Sequence, residues 1–184
     1  MRELSLNVLD IAQNSVSANA SLIEIELKES TVNHELFIGV YDNGKGMTKE
    51  QLEAVRDPFF TTRTTRKVGM GIPLFKMAAE MTGGHLEIES EIGIGTKVKA
   101  FFRTDHLDFV PIGDMTSTMV TLITMNEHIS FLYTRVLDGQ SFTLDTRSLK
   151  EILGDVPFSE PTVSAWLKDY IEQNTNLMKG ENSQ

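Results

Sequence analysis

The residues that could do chemistry lie in five short segments of the first 104 residues. Each segment is weak evidence alone, because a stretch such as Asp-Asn-Gly is usually a turn. Their combination in one order along the chain is what indicates a functional site. In that order, the segments are a helix face with Asp10 and Asn14, Asp42-x-Gly44-x-Gly46, a basic stretch at residues 57–68, Gly69-x-Gly71, and Gly93-x-Gly95-Thr96. The two phosphate-loop patterns, G-x-x-x-x-G-K-S/T and G-x-G-x-x-G, are both absent from the sequence.

The elements that must hold these segments follow from the spacing of apolar residues. Apolar residues three and four apart predict a helix over residues 4–19, with Asp10 and Asn14 on its polar side. Alternation predicts a strand over residues 35–41, which is followed by Asp42. The other predicted elements are a strand at 21–29, a helix from Thr48, a helix at 71–81, and strands at 85–90 and 97–103. This order predicts an α+β fold, a two-layer α/β sandwich with helices on one face of a mixed, mainly antiparallel sheet.

With these motifs in this order, residues 1–104 closely resemble the ATP-binding domain of the GHKL superfamily. That superfamily includes gyrase-type topoisomerases, heat-shock chaperones, sensor histidine kinases and mismatch-repair ATPases. Its Asn box resembles residues 10–15, and its first Gly box resembles residues 42–46. Residues 58–63, Pro-Phe-Phe-Thr-Thr-Arg, resemble the histidine-kinase stretch that opens the ATP lid. The second and third Gly boxes resemble residues 69–74 and 93–96.

The resemblance implies a site for Mg-ATP. Asn14 would supply an amide oxygen to Mg²⁺, a cation that prefers oxygen ligands, and Asp42 would accept a hydrogen bond from the adenine amino group. The first glycine pair would let the backbone approach the base, and the second would offer backbone N–H groups to the phosphates. Basic residues of the lid would neutralise phosphate charge. The implied nucleotide-binding residues are Asn14, Asp42, Gly44, Gly46, Met47, Phe60, Arg63, Lys67, Gly69, Met70, Gly71, Ile72 and Thr96.

The sequence departs from the family pattern at two points. Asp10 stands where hydrolysing members place a glutamate base, so it is the candidate general base, acting through one water. The sequence begins at the Asn-box helix, so we expect no phosphoacceptor helix in this chain and no autophosphorylation in cis. From the residues alone, other interpretations stay open: Asp10 and Asn14 could face solvent, the basic stretch could be a solvated turn, and Phe60 could be a packing residue.

Composition bounds the class of protein. The 184 residues have a net charge of −9, which argues against a nucleic-acid partner. The absence of cysteine excludes disulfides, thiolate metal sites and cysteine nucleophiles. No apolar run approaches the roughly 18 residues that a membrane span needs, and the N-terminus carries acidic residues that a signal peptide would lack. We therefore expect a cytoplasmic protein that does not associate with membranes.

The last eighty residues differ from the rest in charge. The net charge is −2 over residues 1–104 and −7 over residues 105–184, which predicts a small C-terminal α/β appendage that binds a partner or forms a homodimer. Its predicted elements are helices at 114–125, 148–153 and 159–173, and a hairpin at 127–144 around Asp138-Gly139. The whole layout also resembles small stand-alone ATP-binding proteins that accompany hydrogenase-type electron-transfer systems in anaerobic bacteria.

Three functions fit these observations. The favoured one is transfer of phosphate from ATP to a partner protein, because residues 58–63 resemble the kinase members of the family. The second is an ATP-gated regulatory binding module, similar to anti-sigma-factor relatives, because no phosphoacceptor helix is present in the sequence. The third is a slow ATPase in which Asp10 acts as the base.

Overall fold

The strands of the protein join in one mixed sheet. Residues 3–57 and 70–180 are those that the computed structural model describes. Their strands are β1 (Leu22–Ser30), β2 (Glu35–Asp42), β3 (His85–Glu91), β4 (Gly95–Arg103), β5 (Ser130–Leu137) and β6 (Gln140–Asp145). They are ordered β3–β4–β2–β1–β5–β6 across the sheet. The pairing of β1 with β5 is parallel and the other four pairings are antiparallel, so the sheet is mainly antiparallel, as predicted.

The helices form a second layer over one face of this sheet. They are α1 (Leu4–Ser17), α2 (Lys49–Arg56), α3 (Gly71–Glu80), α4 (Met115–Met125), α5 (Thr146–Leu153) and α6 (Pro161–Met178). Side chains alternate between the two faces of a strand, and in β1 the residues Ile23, Ile25 and Leu27 are buried beneath the helices while those between them are not. The predicted α+β class and layer arrangement are confirmed.

The C-terminal residues continue the sheet of the N-terminal half. β5 pairs with β1 in parallel from Leu22 opposite Ser130 to Glu29 opposite Leu137. α4 packs on both α1 and α6. The sequence predicts that this region docks on the ATP-binding domain or on another subunit, and in the structure it docks on the central strand and first helix of the same chain.

The connection between β4 and α4 holds the start of α1. The backbone N–H groups of Leu4 and Ser5 donate to the carbonyl oxygens of Pro111 and Ile112 at 3.0 and 2.8 Å. The first N–H groups of a helix have no acceptor inside the helix, and α1 has no side-chain cap. These two hydrogen bonds therefore replace a cap, and they fix the helix that carries Asp10 and Asn14.

Candidate functional site

Three polar residues form a row across one end of the sheet. Ser90 of β3 lies directly opposite Thr96 of β4, and Thr96 lies directly opposite Asp42 of β2. Directly opposed residues of neighbouring strands project to the same face. Val40, two positions before Asp42, is buried in the core, so the row lies on the helix-covered face. It is at the end of the sheet where β2 ends and β4 begins.

Both carboxylate oxygens of Asp42 accept hydrogen bonds from the protein. Oδ2 accepts from the hydroxyl of Ser15 on α1 at 2.6 Å, and Oδ1 accepts from the backbone N–H of Gly44 at 2.9 Å. Ser15 is only 3% exposed, whereas Asp42 is half-buried. A carboxylate has about four lone-pair sites, so each oxygen of Asp42 can still accept one further hydrogen bond.

The hydroxyl of Ser90 links this row to the loop after β2. It accepts from the backbone N–H of Met47 at 2.9 Å and donates to the carbonyl oxygen of Gly95 at 3.1 Å. It also lies 2.8 Å from the hydroxyl of Thr96. Ser90 therefore connects Met47, which follows the first Gly box, with Gly95 and Thr96 of the third.

The loop after β2 is held between α1 and the β3–β4 hairpin. Lys45 donates from its backbone N–H to the carbonyl of Ala18, and its own carbonyl accepts from the N–H of Gly93, both at 2.9 Å. The side chain of Asn43 accepts from the backbone N–H of Ser21 at 2.9 Å. The loop is thus tied to the elements on either side of it.

Two glycines of this region are required by contacts within the protein. A Cβ on Gly46, whose φ is +72°, would overlap the backbone carbonyl of Glu91. A Cβ on Gly95, whose φ is +138°, would overlap the backbone carbonyl of Asp42. These contacts are a reason for glycine that is separate from the predicted approach of a base to Gly44 and Gly46, which stays a prediction.

Asp10 and Asn14 lie one turn apart on α1. The Nδ2 atom of Asn14 is buried and has no hydrogen-bond partner in the described part of the chain. Since an unpaired buried amide is costly, and the nitrogen and oxygen of an amide are assigned from their partners, Asn14 has capacity for a polar ligand. Asp10 is exposed, and a Cβ on Gly71 would lie 3.0 Å from the Asp10 Cβ. Asp10 is therefore next to the N-terminus of α3, where backbone N–H groups favour anions.

The other predicted site residues have different positions. At the start of α3, Met70 is 58% exposed, whereas Ile72 is 4% exposed and belongs to the hydrophobic core. Their contact with a nucleotide stays a prediction. Phe60, Arg63, Lys67 and Gly69 lie outside the described residues.

Ser15 and Ser90 are site residues that the sequence analysis does not single out. A weak signal for each exists. Ser15 directly follows Asn14 in the Asn box, and Ser90 is two residues after the core residue Ile88, so alternation places it on the core face of β3. A polar residue at a core-facing position indicates a buried hydrogen bond.

The tyrosine beside Asp42 belongs to the opposite face of the sheet. Alternation directs Tyr41 away from the helices, and its hydroxyl donates to Glu26 at 3.2 Å. Partial burial and the nearby Glu26 carboxylate raise the pKa of Tyr41 to about 12. Tyr41 therefore stays protonated at neutral pH and its hydroxyl is not directed toward the Asp42 carboxylate.

Comparison with known proteins identifies the family. The family model for histidine kinase-, DNA gyrase B- and HSP90-like ATPases matches residues 1–106, which is more than half of the chain. The chain belongs to this ATPase family, and its ATPase domain is like the catalytic domains of histidine kinases.

The curated relatives include kinases. Sporulation kinase D of Bacillus subtilis is 30% identical over 91 residues, which are 50% of this chain and 18% of the relative. Sensor histidine kinase ZraS of Salmonella typhimurium is 33% identical over 90 residues, which are 48% of this chain and 19% of the relative. The chain therefore spans less than a fifth of the length of these relatives.

One solved structure shares the fold over a longer stretch. The N-terminal domain of a DNA repair protein superposes with a TM-score of 0.53 and 17% identity, covering 79% of this chain and 53% of that one. At this identity the likeness concerns the fold alone.

In the described residues, no helix has the length and apolar character needed to cross a membrane.

Proposed function

We propose that the chain binds ATP between α1, the end of β2 and the start of α3, with the adenine amino group on Asp42. The observation that carries this proposal is the Asp42 carboxylate, which Ser15 and Gly44 fix from the protein side while part of its accepting capacity stays free. An acceptor held in one orientation favours a ligand group that donates, as an exocyclic amino group does. Membership of an ATPase family supports the same nucleotide class.

Asn14 is the proposed ligand for Mg²⁺. The buried atom without a partner is Nδ2 as assigned, and exchanging the two ends of the amide would place its oxygen there. An amide oxygen is a suitable ligand for this cation. Across residues 3–57 and 70–180, no group of three or more acidic or histidine residues is arranged to hold a metal. A cation here would therefore be bound by Asn14 together with phosphate oxygens and water, and it would neutralise phosphate charge.

The proposed activity is transfer of the terminal phosphate of ATP to a partner protein. The N-terminus of α3, beginning at Gly71, would bind the phosphates through backbone N–H groups. Asp10 is exposed beside this helix N-terminus, so a hydroxyl, imidazole or water brought there would contact a carboxylate able to accept its proton. The likeness to kinase catalytic domains favours a protein acceptor.

Phosphotransfer is tested with γ-labelled ATP and an extract of the source cell. We expect the wild-type chain to label a protein, and the Asp42→Asn chain to label none because it would bind ATP poorly. A wild-type chain that binds ATP but labels no protein under these conditions would contradict the proposed transfer.

Two other functions have distinct tests. If the protein is a slow ATPase with Asp10 as the base, Asp10→Asn is expected to slow steady-state hydrolysis by about a hundredfold or more. Unchanged hydrolysis would remove Asp10 from that role. If the protein is an ATP-gated binding module, its affinity for a partner must differ between ATP, ADP and no nucleotide, since a ligand shifts only an equilibrium between states that it binds unequally.

The remaining features of the proposal concern assembly and location. The C-terminal residues 105–184 are proposed to contact a partner protein or a second copy, and their net charge of −7 favours a basic partner surface. A cytoplasmic location, the absence of nucleic-acid and membrane partners, and a link to a hydrogenase-type electron-transfer system stay predictions.

A further inference from the structure

The two edges of the sheet differ in charge. β3 forms one edge and β6 forms the other. β3 carries Glu87, Glu89 and Glu91 at alternate positions, and charged side chains on an edge strand oppose pairing with a further strand. From Gln140 to Leu144, β6 has neither a charged residue nor a proline. The β6 edge therefore lacks the features that protect the β3 edge.

Every second residue of β6 directs its backbone N–H and C=O groups away from the sheet. A two-residue turn joins β5 to β6, and Leu137 lies directly opposite Gln140 across it. In such a hairpin the pair next to the turn exchanges both backbone hydrogen bonds, and hydrogen-bonded pairs then alternate with pairs that are not. The backbone groups of Ser141 and Thr143 therefore point to the open edge. Among the described residues, no strand lies beyond β6 to pair with them.

The chain that follows β6 turns toward the interior of the sheet. Thr146, the first residue of α5, is completely buried, and its hydroxyl accepts from the backbone N–H of Phe131 on β5 at 2.8 Å. α5 accordingly packs on β5. The charged residue of β6, Asp145, is paired with Arg147 at 2.9 Å. The open edge of β6 thus carries no unpaired charge, and the chain does not continue across it.

An exposed aromatic pair lies on the flank of α6 nearest to this edge. α6 packs on α4 and on β6, and Leu167 is completely buried beneath it. Lys168 is on the α4 side of the helix, since its ammonium group acts electrostatically on Asp114 at the start of α4. With about 3.6 residues per turn, Trp166 is then on the other side of Leu167, toward the β6 edge. Its ring stacks on Tyr170 with centroids 5.2 Å apart, yet Trp166 is 46% exposed.

The sequence of β6 is complementary to itself in an antiparallel pairing. With a two-fold axis at Thr143, that residue lies opposite its own copy, and Phe142 lies opposite Leu144 of the second copy. The apolar pair is on the helix-covered face and the threonines are on the open face, where such cross-strand pairs are favourable. Two chains with a net charge of −9 repel each other. An uncharged strand is therefore where two copies can approach most closely.

We propose that β6 pairs with β6 of a second copy across a two-fold axis, joining the two six-stranded sheets into one, with Trp166 and Tyr170 of each copy at the contact. Such an interface uses the same patch on both copies. Interface cores are poor in charged residues and rich in aromatic residues, and this patch has that composition within the more acidic part of the chain. The inference goes beyond the proposed function and does not depend on it.

Sedimentation equilibrium of the full chain tests self-association. We expect a dimer with a dissociation constant of about 1–100 µM, which is within the range of small interfaces. Trp166 is the single tryptophan of the chain, so its fluorescence reports on this patch alone. Its emission is expected to shift to shorter wavelength as the dimer forms, with the same concentration midpoint as the sedimentation data.

Two substitutions at Thr143 act on the proposed axis. Thr143→Pro removes an N–H group that points away from β5, where proline is tolerated in an edge strand. Thr143→Lys places two positive charges opposite each other, although it lowers the net negative charge of each copy. Each should raise the dissociation constant about tenfold or more. Trp166→Ala should raise it about tenfold, because buried tryptophans contribute strongly to interfaces.

Glu87→Lys is the matched control. It also lowers the net negative charge, but Glu87 is an exposed residue of the opposite edge strand, β3. Its dissociation constant should stay at or below that of wild type, since no contact at the axis changes. Thermal unfolding of every variant reports whether the fold is retained, and Thr143→Lys provides the test if Thr143→Pro does not fold.

Three results would overturn the inference. One is a wild-type chain that stays monomeric up to about 200 µM, which would make the β6 edge available only to a different protein. Another is a dimer whose dissociation constant is unchanged in folded Thr143 variants, since the copies would then associate through another surface. The third is Trp166 emission that does not change as the dimer forms. A chain that dimerises as expected but binds no ATP would refute the proposed function alone.

Discussion

The same three strands carry two very different rows of side chains at their two ends. At one end, Ser90, Thr96 and Asp42 lie opposite one another on the helix-covered face. At the other end, His85, Phe101 and Phe37 lie opposite one another on the open face. The His85 and Phe101 rings stack with centroids 4.4 Å apart, and the Phe101 and Phe37 rings are 5.1 Å apart. These rings line a groove of about 740 Å³.

The two rows differ in how much hydrogen-bonding capacity remains at the polar atoms near them. Near the aromatic row the charges are at least partly exposed and are paired with each other: Lys28 lies 2.7 Å from Glu26, and Arg103 lies 3.2 Å from Asp105. In the polar row, Asp42 accepts from Ser15 of α1 and from the Gly44 N–H, and Ser90 accepts from the Met47 N–H. The oxygens of Asp42 can still accept further hydrogen bonds. The groove is therefore the larger space, whereas the free hydrogen-bonding capacity lies at the opposite end of these strands.

The largest expected loss of stability comes from a substitution at Gly95, in the backbone that supports the polar row. Gly95→Ala should destabilise the protein by more than about 3 kcal/mol, because its Cβ would overlap the Asp42 carbonyl at a φ of +138°. Gly93→Ala in the same hairpin should cost only about 1–2 kcal/mol, because no described atom lies within 4 Å of its Cβ. Urea unfolding measures both. Equal losses would contradict the tight contact between Gly95 and Asp42.

An intermediate loss of stability is expected for Asp114, a carboxylate that accepts similar hydrogen bonds to Asp42 but lies outside the proposed ATP site. Asp114 accepts from the hydroxyl of Ser117 at 2.6 Å and from its backbone N–H at 2.9 Å, much as Asp42 does from Ser15 and Gly44. Asp114 only caps α4, so Asp114→Ala should cost about 1 kcal/mol of stability and leave ATP affinity unchanged. A loss of ATP affinity in this variant would show that the comparison between the two aspartates fails.

The pH dependence of that stability has a definite sign. Hydrogen bonds from the Ser117 hydroxyl and N–H lower the pKa of Asp114 below its ordinary value. The folded state therefore favours the ionised carboxylate, and the stabilisation is complete above the ordinary aspartate pKa of about 3.9 and is lost as pH falls through the lowered value. The difference in unfolding free energy between wild type and Asp114→Ala should shrink below about pH 4.

The smallest change in stability is expected for Arg103, an exposed residue near the aromatic row. The Arg103 side chain is 43% exposed and contacts Asp105 at 3.2 Å and Glu35 at 3.7 Å. Exposed ion pairs contribute about 0–1 kcal/mol, so Arg103→Ala should change the unfolding free energy by less than about 1 kcal/mol. Calorimetric titration should give the wild-type ATP affinity. A clear change in ATP affinity would mean that the two ends of the sheet are coupled.

The sequence predicts local structure around the site well because local patterns encode it. The helix predicted at residues 4–19 is α1, the strand predicted to precede Asp42 is β2, and the helix predicted from Thr48 begins in a capping box with Gln51. Asp114, the first residue of the helix predicted at residues 114–125, caps α4 by accepting from the backbone N–H of Ser117. Each of these follows from residues within a few positions of one another.

Features that depend on distant residues are not predicted in the same way. No pattern in β1 specifies that β5 pairs with it in parallel, since any half-buried strand offers the same alternation. The hydrogen bonds of Pro111 and Ile112 to the start of α1 are likewise between residues about a hundred positions apart. Ser15 is missed as a site residue because its partner is Asp42 on another element.

Asp42 is the central residue of the proposed ATP site, and a titration of the purified full chain with ATP and ADP, with and without Mg²⁺, tests its role directly. We expect Mg-dependent binding of ATP in the micromolar range of about −8 kcal/mol. Asp42→Asn should abolish it, because one acceptor becomes an N–H₂ group facing Ser15 or Gly44, which both donate to this position. An Asp42→Asn chain that binds ATP as tightly as wild type, or a wild-type chain that binds none, would contradict the account.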